Sequence, residues 1–309
     1  MKKILLFVVP LLFCLSVLNS SNAQVYNYED GEGPVPPDSI SGIYIGINIG
    51  SYWANNNTAF IYDGRGYARD GDFYDPFLQF NQTWLNQAIQ GSVQAEQRMD
   101  RLMNPDAWEF TPSDMPLNMN FGASFMWAGH IRYMFNSDFG VFTEIGGAFP
   151  VAIGEFTIER VGGFNQPGDQ VRRFGIRGEE QRFFVNLGLH RVLGRKRLEK
   201  QGKTSSILPY IDLGGSVTFT RFDANFINLD EEGTADLTVF FNQQGQFTDQ
   251  ANLLTGSGFG GFGGAGIQIT IGSKFTIDLG YIGTLTSISM GEVSETGFQH
   301  QIVLKAIYM

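Results

Sequence analysis

Residues 117–135 read LNMNFGASFMWAGHIRYMF, and this stretch decides the fold class. Along it, large apolar side chains alternate with small or polar ones, which places the two kinds on opposite faces of an extended strand. The apolar face carries Met119, Phe121, Phe125, Trp127, Ile131, Tyr133 and Phe135. The polar face carries Asn118, Asn120, Ser124, His130 and Arg132. A period of two over this length predicts a long β-strand that is apolar on one side.

Seven further segments show the same alternation, so the chain is expected to form eight strands. They are Gly42–Trp53, Phe139–Glu155, Arg182–Leu193, Leu208–Phe222, Gly258–Ile271, Phe275–Ser287 and Phe298–Met309. The composition agrees, because 39 Gly, 28 Phe and 11 Tyr are typical of proteins built from many strands and turns. The sequence therefore predicts an all-β fold.

The connections between these strands alternate in length. The links after the second, fourth and sixth strands are short and cover Asn136–Asp138, Gly194–Ser205 and Gly272–Lys274. The other links are mostly longer, and the extremes are Ala54–Pro116 and Asp223–Ser257. An up-and-down barrel in an outer membrane needs short periplasmic turns and longer outer loops in this order, whereas a Greek-key sandwich does not. A soluble secreted β-sandwich is the competing interpretation.

The distribution of charge favours the same orientation. Gly194–Ser205 carries five basic residues and one acidic residue, a net charge of +4 by subtraction, whereas Asp223–Ser257 carries six acidic residues and no basic one. The whole chain has a formal net charge of −10. This charge argues against nucleic acid as a partner, because phosphate binding requires clustered Lys and Arg.

The first residues, 1–23, are predicted to be a signal peptide. Lys2 and Lys3 precede the apolar run Ile4–Val17, and Ser21–Ala23 supplies the small residues that a signal peptidase requires. Cleavage is therefore expected before Gln24, and export follows from it.

The mature chain is expected to begin with a flexible lead, residues 24–39, followed by one barrel domain, residues 40–309, with an outer loop at residues 54–116. The single cysteine, Cys14, lies in the signal peptide, so no disulfide framework is expected. No later stretch approaches the ~20 apolar residues that a membrane helix needs.

The succession of alternating segments from Gly42 to Met309 resembles the small eight-stranded outer-membrane barrels, of which the OmpA-type membrane domain is an example. The last segment, residues 298–309 (FQHQIVLKAIYM), resembles the terminal strand that barrel-assembly machinery recognises, although its aromatic Tyr308 stands one residue before the end. The resemblance implies a closed antiparallel up-and-down transmembrane β-barrel in the bacterial outer membrane. Outer-membrane lipid and, during insertion, the barrel-assembly machinery are the partners that it implies.

Projecting the alternation inward gives a set of charged and histidine side chains. They are His130, Arg132, Glu144, His190, Asp212, Asp278 and Lys305. Arg132 and Glu144 flank the turn at Asn136–Asp138, so we expect them to be cross-strand neighbours, as we do Asp278 and Lys305. Opposite charges in a closed lumen should pair, because an unpaired buried charge is costly. We therefore predict a lumen network of Arg132, Glu144, Asp212, Asp278 and Lys305 that fills the barrel; a narrow channel or proton path is the alternative.

The long first loop is predicted to contain a helix from Phe77 to Met103, started by Asp75-Pro76. Its apolar stripe must cover either the barrel mouth or a partner protein, and both remain open. The aromatic and aliphatic residues of this helix are the candidate partner-binding residues. They are Phe77, Phe80, Trp84, Leu85 and Ile89.

The sequence predicts no catalytic residue, cofactor or metal site. Gly258–Gly263 matches G-x-G-x-x-G, but no helix follows it to hold a phosphate, so we interpret these glycines as space for large side chains across the lumen. Asp70–Asp75 has no EF-hand spacing. A structural, assembly or surface-interaction role is expected, with an accessory subunit of a secretion or surface-display machine as its specific form. A lipid-modifying enzyme using His300 with Ser287 or Ser289 is the alternative.

Overall fold

The computed structural model of the chain describes residues 41–66, 79–103, 106–161, 170–195, 206–237, 239–241, 247–249, 255–271, 275–290 and 293–308. The predicted signal peptide and the predicted flexible lead lie outside the described residues. So do Phe77, the predicted helix start at Asp75-Pro76, and the acidic stretch Asp70–Asp75.

Antiparallel strands make up most of the described chain. They are β1 (Gly42–Trp53), β2 (Ala107–Glu109), β3 (Asn120–Phe121), β4 (Ala123–Met134), β5 (Phe139–Ala148), β6 (Val151–Val161), β7 (Val171–Val192), β8 (Ile207–Asn228), β9 (Thr234–Asp236), β10 (Val239–Phe241), β11 (Phe247–Asp249), β12 (Thr255–Ile271), β13 (Phe275–Met290) and β14 (Val293–Tyr308). Two α-helices, α1 (Trp84–Gln90) and α2 (Val93–Met103), and short 3-10 turns lie between β1 and β4.

Eight of the long strands pair in a ring. The order is β1, β4, β5, β7, β8, β12, β13 and β14, and β14 pairs again with β1. Each neighbouring pair is antiparallel; β1, for example, places Gly42 opposite Met134 of β4 and Ile45 opposite Tyr308 of β14. A ring of this kind pairs the backbone groups of the first and last strands with each other, so neither is left as an edge.

The predicted strands agree with the observed ones best where one face is apolar throughout. The first, Gly42–Trp53, has the predicted bounds. The fourth begins at Val171 rather than at Arg182, because its upper part carries charged residues on the outward face, where the other predicted strands carry apolar ones. The two residues between β13 and β14, 291–292, also make the last outer link short, which departs from the expected alternation of link lengths.

The predicted third strand, Phe139–Glu155, is wrong as a single strand, because it is interrupted at Phe149-Pro150. Proline has no N–H to donate to a ladder, and the strand resumes after it as β6. The carbonyl oxygen of Pro150 accepts a 3.0 Å hydrogen bond from the N–H of Glu180, where the ladder between β7 and β8 also shifts register. β5 and β6 therefore both pair with β7, and β6 carries the sheet beyond the ring.

The prediction that Met119 and Phe121 share one face with Phe125 and Trp127 is also wrong. Both side chains are buried, whereas Asn120 between them is exposed. Gly122 separates β3 from β4, and β3 pairs with β6 rather than continuing the ring strand. The alternation therefore changes phase at Gly122, because the segment before it packs over the barrel mouth.

The outward face of the ring carries a belt of exposed apolar residues. On β1, Ile43, Ile45 and Ile47 are 61%, 62% and 63% exposed. Each of the other ring strands contributes similar side chains, among them Phe125, Ile145, Leu187, Leu213, Phe259, Leu279 and Ile302. Single exposed apolar residues are ordinary, but a belt that continues around a whole ring marks a surface that meets an apolar environment.

The inward face is filled by side chains that lie across from glycines. The rings of Phe142 and Phe262 pack beside Gly188, and Phe262 also packs beside Gly214. In β12, Gly258 and Gly260 of the G-x-G-x-x-G stretch lie against backbone carbonyls of β13 in the middle of a strand. These glycines therefore serve close packing inside the ring.

Gly188→Ala is expected to destabilise the fold by about 1–3 kcal/mol, because overpacking displaces well-packed side chains. An added Cβ would stand 2.7 Å from Phe142 and 2.9 Å from Phe262. Gly263→Ala is the matched control, since a Cβ there has nothing within 4 Å. Urea unfolding in detergent micelles measures both variants, and equal stability of the two would contradict the packing described here.

Candidate functional site

A cluster of ion pairs occupies the lumen at the end of the ring nearest the chain termini. Nζ of Lys305 lies 2.8 Å from Oε1 of Glu144 and 3.2 Å from Oδ2 of Asp212. Nη2 of Arg132 donates to Oδ2 of Asp278 at 2.6 Å. All five side chains are at most 2% exposed. The structure thus brings together every residue of the predicted lumen network.

The partners within this network differ from the predicted ones. We expected Arg132 to pair with Glu144 and Asp278 with Lys305. In the observed register Arg132 stands opposite Phe142, and the residue opposite Glu144 is His130. The guanidinium of Arg132 reaches Asp278 instead, and this leaves Lys305 to neutralise Glu144 and Asp212. The expected Arg132–Glu144 pairing is therefore wrong. The expected cross-strand position of Asp278 and Lys305 is confirmed, because they stand opposite each other on β13 and β14, although the ion pairs of Lys305 go to Glu144 and Asp212.

Two buried histidines complete the same network. Nδ1 of His130 lies 2.9 Å from Glu144, and Nδ1 of His190 lies 2.7 Å from Asp212. A carboxylate only accepts hydrogen bonds, so Nδ1 of each ring carries the proton. Each histidine stands directly across a strand pair from its carboxylate. The histidines therefore serve as hydrogen-bond donors to the two carboxylates that Lys305 also contacts.

An apolar cluster lies directly against the charges. Nζ of Lys305 is 5.0 Å from the centre of the Phe142 ring, and the His130 ring stacks on Phe142 with centres 5.3 Å apart. Phe142 packs in turn on Phe262, with ring centres 6.0 Å apart. The buried cluster that contains these rings also contains Ile282 and continues to the far end of the barrel. Among the described residues, charged and aromatic side chains therefore pack together inside the ring.

A second buried ion pair, which the sequence analysis missed, lies toward that far end. Arg182 donates through Nε to Glu180 and through Nη1 to the hydroxyl of Tyr52 at 3.0 Å. Its guanidinium lies 5.2 Å from the centre of the Phe121 ring. Glu180 also accepts a 3.3 Å hydrogen bond from the hydroxyl of Tyr62. Glu180 and Arg182 are two residues apart, so an earlier start for the predicted fourth strand would have placed both on the inward face.

The first loop closes the mouth of the barrel above this ion pair. We call the 3-10 turn Asn56–Tyr62 together with α1 and α2 the lid. The Tyr62 ring stacks on Phe222 with centres 5.1 Å apart, and it occupies the space beside Gly178. From the helices, Leu85, Ile89, Met99 and Met103 are fully buried in the same cluster that fills the lumen. The lid and the barrel interior therefore share one core.

The candidate partner-binding residues face this core. Trp84, Leu85 and Ile89 are buried in it, and Phe80 is partly buried and packs on Phe110 with ring centres 5.2 Å apart. The structure thus places these four side chains against the protein itself, as the mouth-covering alternative requires. A partner would meet the opposite, polar face of the helices.

The predicted single helix is wrong, because it is divided into α1 and α2 at Gly91-Ser92. The Ser92 hydroxyl accepts a 3.1 Å hydrogen bond from the N–H of Ala95, and its carbonyl accepts one from the N–H of Glu96. Serine at this position favours a new helix start over continuation of the old one. The resulting elbow lets both helices lay apolar residues on the barrel mouth.

Polar contacts tie the lid to the strands around it. Nη1 of Arg172 donates to the carbonyl of Leu102 at 2.6 Å, and Nη2 donates to Asp230 at 2.8 Å. Arg101 forms a two-pronged pair with Glu232 at 3.1 and 2.8 Å. This hydrogen bonding holds the pKa of the Glu232 carboxyl below its usual value. Both groups of the Arg101–Glu232 pair are in solvent, so it positions the segment more than it stabilises the fold.

His300, the candidate residue for lipid chemistry, lies on the outward face of β14. Its Nδ1 forms a hydrogen bond with the hydroxyl of Tyr281, and its ring packs edge-on against Phe298. The hydroxyls of Ser287 and Ser289 lie 3.2 Å from that of Ser294 instead. The structure therefore does not bring either serine to His300. Among the described residues no helix is both long and apolar enough to cross a membrane, and no group of His, Cys, Asp and Glu side chains has the form of a metal site.

No protein-family model and no curated protein matches the chain. The solved structures that it matches include small bacterial outer-membrane β-barrel proteins. Ail, the attachment invasion locus protein of Yersinia pestis, is 14% identical with a TM-score of 0.32, covering 86% of this chain and 97% of Ail. The outer membrane protein OprG of Pseudomonas aeruginosa is 10% identical with a TM-score of 0.32, covering 87% and 93%. The N-terminal β-barrel domain of Pseudomonas aeruginosa OprF is 10% identical with a TM-score of 0.23, covering 62% and 92%.

Lys305→Met is expected to destabilise the barrel by about 3–5 kcal/mol, because it leaves Glu144 and Asp212 buried without their cation. Methionine keeps most of the volume, so the effect reports charge more than packing. Arg101→Gln removes an exposed charge pair and is the control, with unchanged stability expected. Urea unfolding followed by tryptophan fluorescence measures both, and a Lys305→Met protein as stable as the parent would contradict the network.

Gly178→Ala is expected to loosen the lid without unfolding the barrel. An added Cβ would stand 2.1 Å from the Tyr62 ring, so Tyr62 must leave its place between Phe222 and Glu180. Gly175→Ala on the same strand is the control, because its nearest neighbour is 4.0 Å away. Hydrogen exchange should become faster in residues 56–62 and 84–103 of the first variant only. Unchanged exchange in those residues would show that Tyr62 does not anchor the lid.

Proposed function

We propose that this protein is an integral outer-membrane β-barrel with a structural or surface-interaction role, performed by its lid-bearing end rather than by its lumen. The observation that carries the proposal is that the lumen and the mouth are both filled by the protein's own side chains. A scaffold of this kind leaves its outer surface as the place where another molecule can bind.

The belt of exposed apolar residues supports the membrane placement. From Ile43 to Trp53 on β1 there are ten residue steps, which at about 3.3 Å each and a tilt of about 40° span roughly 25 Å along the membrane normal. Aromatic side chains stand near both limits of the belt, among them Tyr133, Phe135 and Tyr308 at one end and Phe183 and Phe219 at the other. A lipid bilayer requires such a belt and such borders.

The charged residues beyond the belt support the proposed orientation of the barrel in the membrane. On β6 and β7 the outward residues past Phe183 include Glu155, Arg173 and Arg177, which are exposed and suited to water. The opposite end of the ring carries the turn Asn136–Asp138, the start of β1 and the end of β14. With export through the expected signal peptide, the lid-bearing end faces outward and the chain termini face the periplasm.

The filled lumen favours this role over a narrow channel. Ion passage needs a continuous polar path, and the described lumen has the Phe142 and Phe262 rings packed against the Lys305 network. An enzyme is less well supported than a scaffold, because neither Ser287 nor Ser289 reaches His300. The partners that we propose are outer-membrane lipid, the barrel-assembly machinery during insertion, and a protein that meets the lid.

The polar face of α2 is the proposed meeting place for that protein. Glu96, Gln97 and Asp100 are exposed there, while Met99 and Met103 of the same helix anchor it to the core. A helix that is fixed on one side and exposed on the other presents a preorganised surface, which lowers the entropy lost on binding. An accessory subunit of a secretion or surface-display machine is the specific form of the role that we propose.

Single-cysteine variants test the placement directly, because Cys14 is the only cysteine of the sequence and leaves with the signal peptide. Gln97→Cys on the lid should react with a membrane-impermeant maleimide in intact cells. Ser206→Cys, exposed at the opposite end of the ring, should react only after the cells are broken. The protein should fractionate with the outer membrane and change its mobility in SDS gels on boiling.

Planar bilayers provide the second part of the test. A lumen filled in this way should give no stable openings of porin size. Labelling of Ser206→Cys rather than Gln97→Cys in intact cells would reverse the orientation. Recovery as a soluble monomer with heat-independent mobility would contradict the membrane placement altogether.

A further inference from the structure

A cleft of about 350 Å³ opens on the lid, between the elbow of α1 and α2 and the short strand β9. Its polar lining consists of Gln87, Ser92, Gln94, Arg98 and Asp236, and the rest is three alanines. Ala95 is buried, and the other two alanines pack on the shared core. The cleft thus combines a small apolar floor with a polar rim, at the low end of the ~300–1,000 Å³ typical of small-molecule sites.

Arg98 is held in place within this lining. Its Nη2 donates to the carbonyl of Ala88 at 2.9 Å, which fixes the guanidinium across the elbow. Its Nε is buried and has no hydrogen-bond partner among the described residues. Because this atom is out of reach of solvent, a ligand in the cleft would meet the other N–H groups of the guanidinium.

Asp236 supplies acceptors on the facing wall. It is exposed on β9, and a carboxylate has about four lone-pair positions, so it can accept further hydrogen bonds in addition to any that it already makes. Gln87 and Gln94 add side-chain amides, which both donate and accept. The ties of Arg101 to Glu232 and of Arg172 to Asp230 hold the segment before β9 against the lid. The two walls are therefore positioned before any ligand arrives.

This mixture of groups selects the class of ligand. An anion would pair with Arg98 but would be repelled by the carboxylate of Asp236. A cation would pair with Asp236 but would be repelled by Arg98. A hydroxyl group both donates and accepts, so it satisfies the two walls together. We propose that this cleft binds a neutral sugar residue of a polysaccharide, with the apolar C–H face of the sugar on the alanines. The inference rests on the proposed function, because the cleft is accessible to a polysaccharide only if the lid faces outward.

Binding to full-length mature protein in lipid nanodiscs tests the proposal. The probes are polysaccharide released from the surface of the producing bacterium and freed of its lipid, and neutral dextran and mannan as external polysaccharides, each titrated by calorimetry. Arg98→Gln and Asp236→Asn should each weaken binding about tenfold, the loss expected for one charge-assisted hydrogen bond. Ser206→Ala, exposed at the opposite end of the ring from the cleft, should bind within about twofold of the parent.

Binding of the bacterium's own polysaccharide alone supports a role in its surface coat, whereas binding of dextran or mannan supports capture of external sugar. Loss of binding in Ser206→Ala equal to that in Arg98→Gln would overturn the assignment to this cleft. Competition by inorganic phosphate or acetate at similar strength would overturn it in favour of an anion site. Absence of saturable binding to every probe, with Gln97→Cys still labelled in intact cells, would overturn the sugar site alone; loss of that labelling would overturn the proposed function.

Discussion

The ammonium group of Lys305, held between Glu144 and Asp212, is the contact on which the barrel interior depends. It brings together charges from β14, β5 and β8, strands that are not neighbours in the ring, and so fixes the width of the lumen from inside. Each carboxylate that it neutralises also accepts from a histidine of the adjacent strand. Removing one member of a buried charge network leaves its partner without a counter-charge, which makes the interior intolerant of partial change.

The two ends of the lumen are filled mainly by different kinds of side chain. Charges fill the end near the termini, whereas apolar residues of the lid fill the mouth and continue into the lumen as one core. This continuous core couples the lid to the barrel, because the outer helices pack on the same residues that fill the lumen. Preorganisation of the outer surface thus follows from how the interior is filled.

The period-two pattern of the sequence predicts the ring well, because residues that alternate between lipid and lumen must alternate in character. Gly42–Trp53 is the clearest case, and the parity of the eight segments also identifies Arg132, Asp278 and Lys305 as lumen residues. Above the belt the outward face carries charged residues instead of apolar ones, and Val171–Gln181 therefore goes unrecognised with Glu180 in it. Pairing across the lumen, the break at Pro150 and the phase change at Gly122 depend on contacts distant in sequence, which periodicity does not encode.

The position of Tyr62 has a consequence for the order in which the molecule is built. Tyr62 precedes almost the whole ring in the chain, yet the groups that hold it, Gly178, Glu180 and Phe222, come from β7 and β8. The lid therefore cannot pack in its final position until β7 and β8 have formed, and its apolar helices stay exposed until then. Packing of the lid therefore requires β7 and β8 to be paired in the correct register.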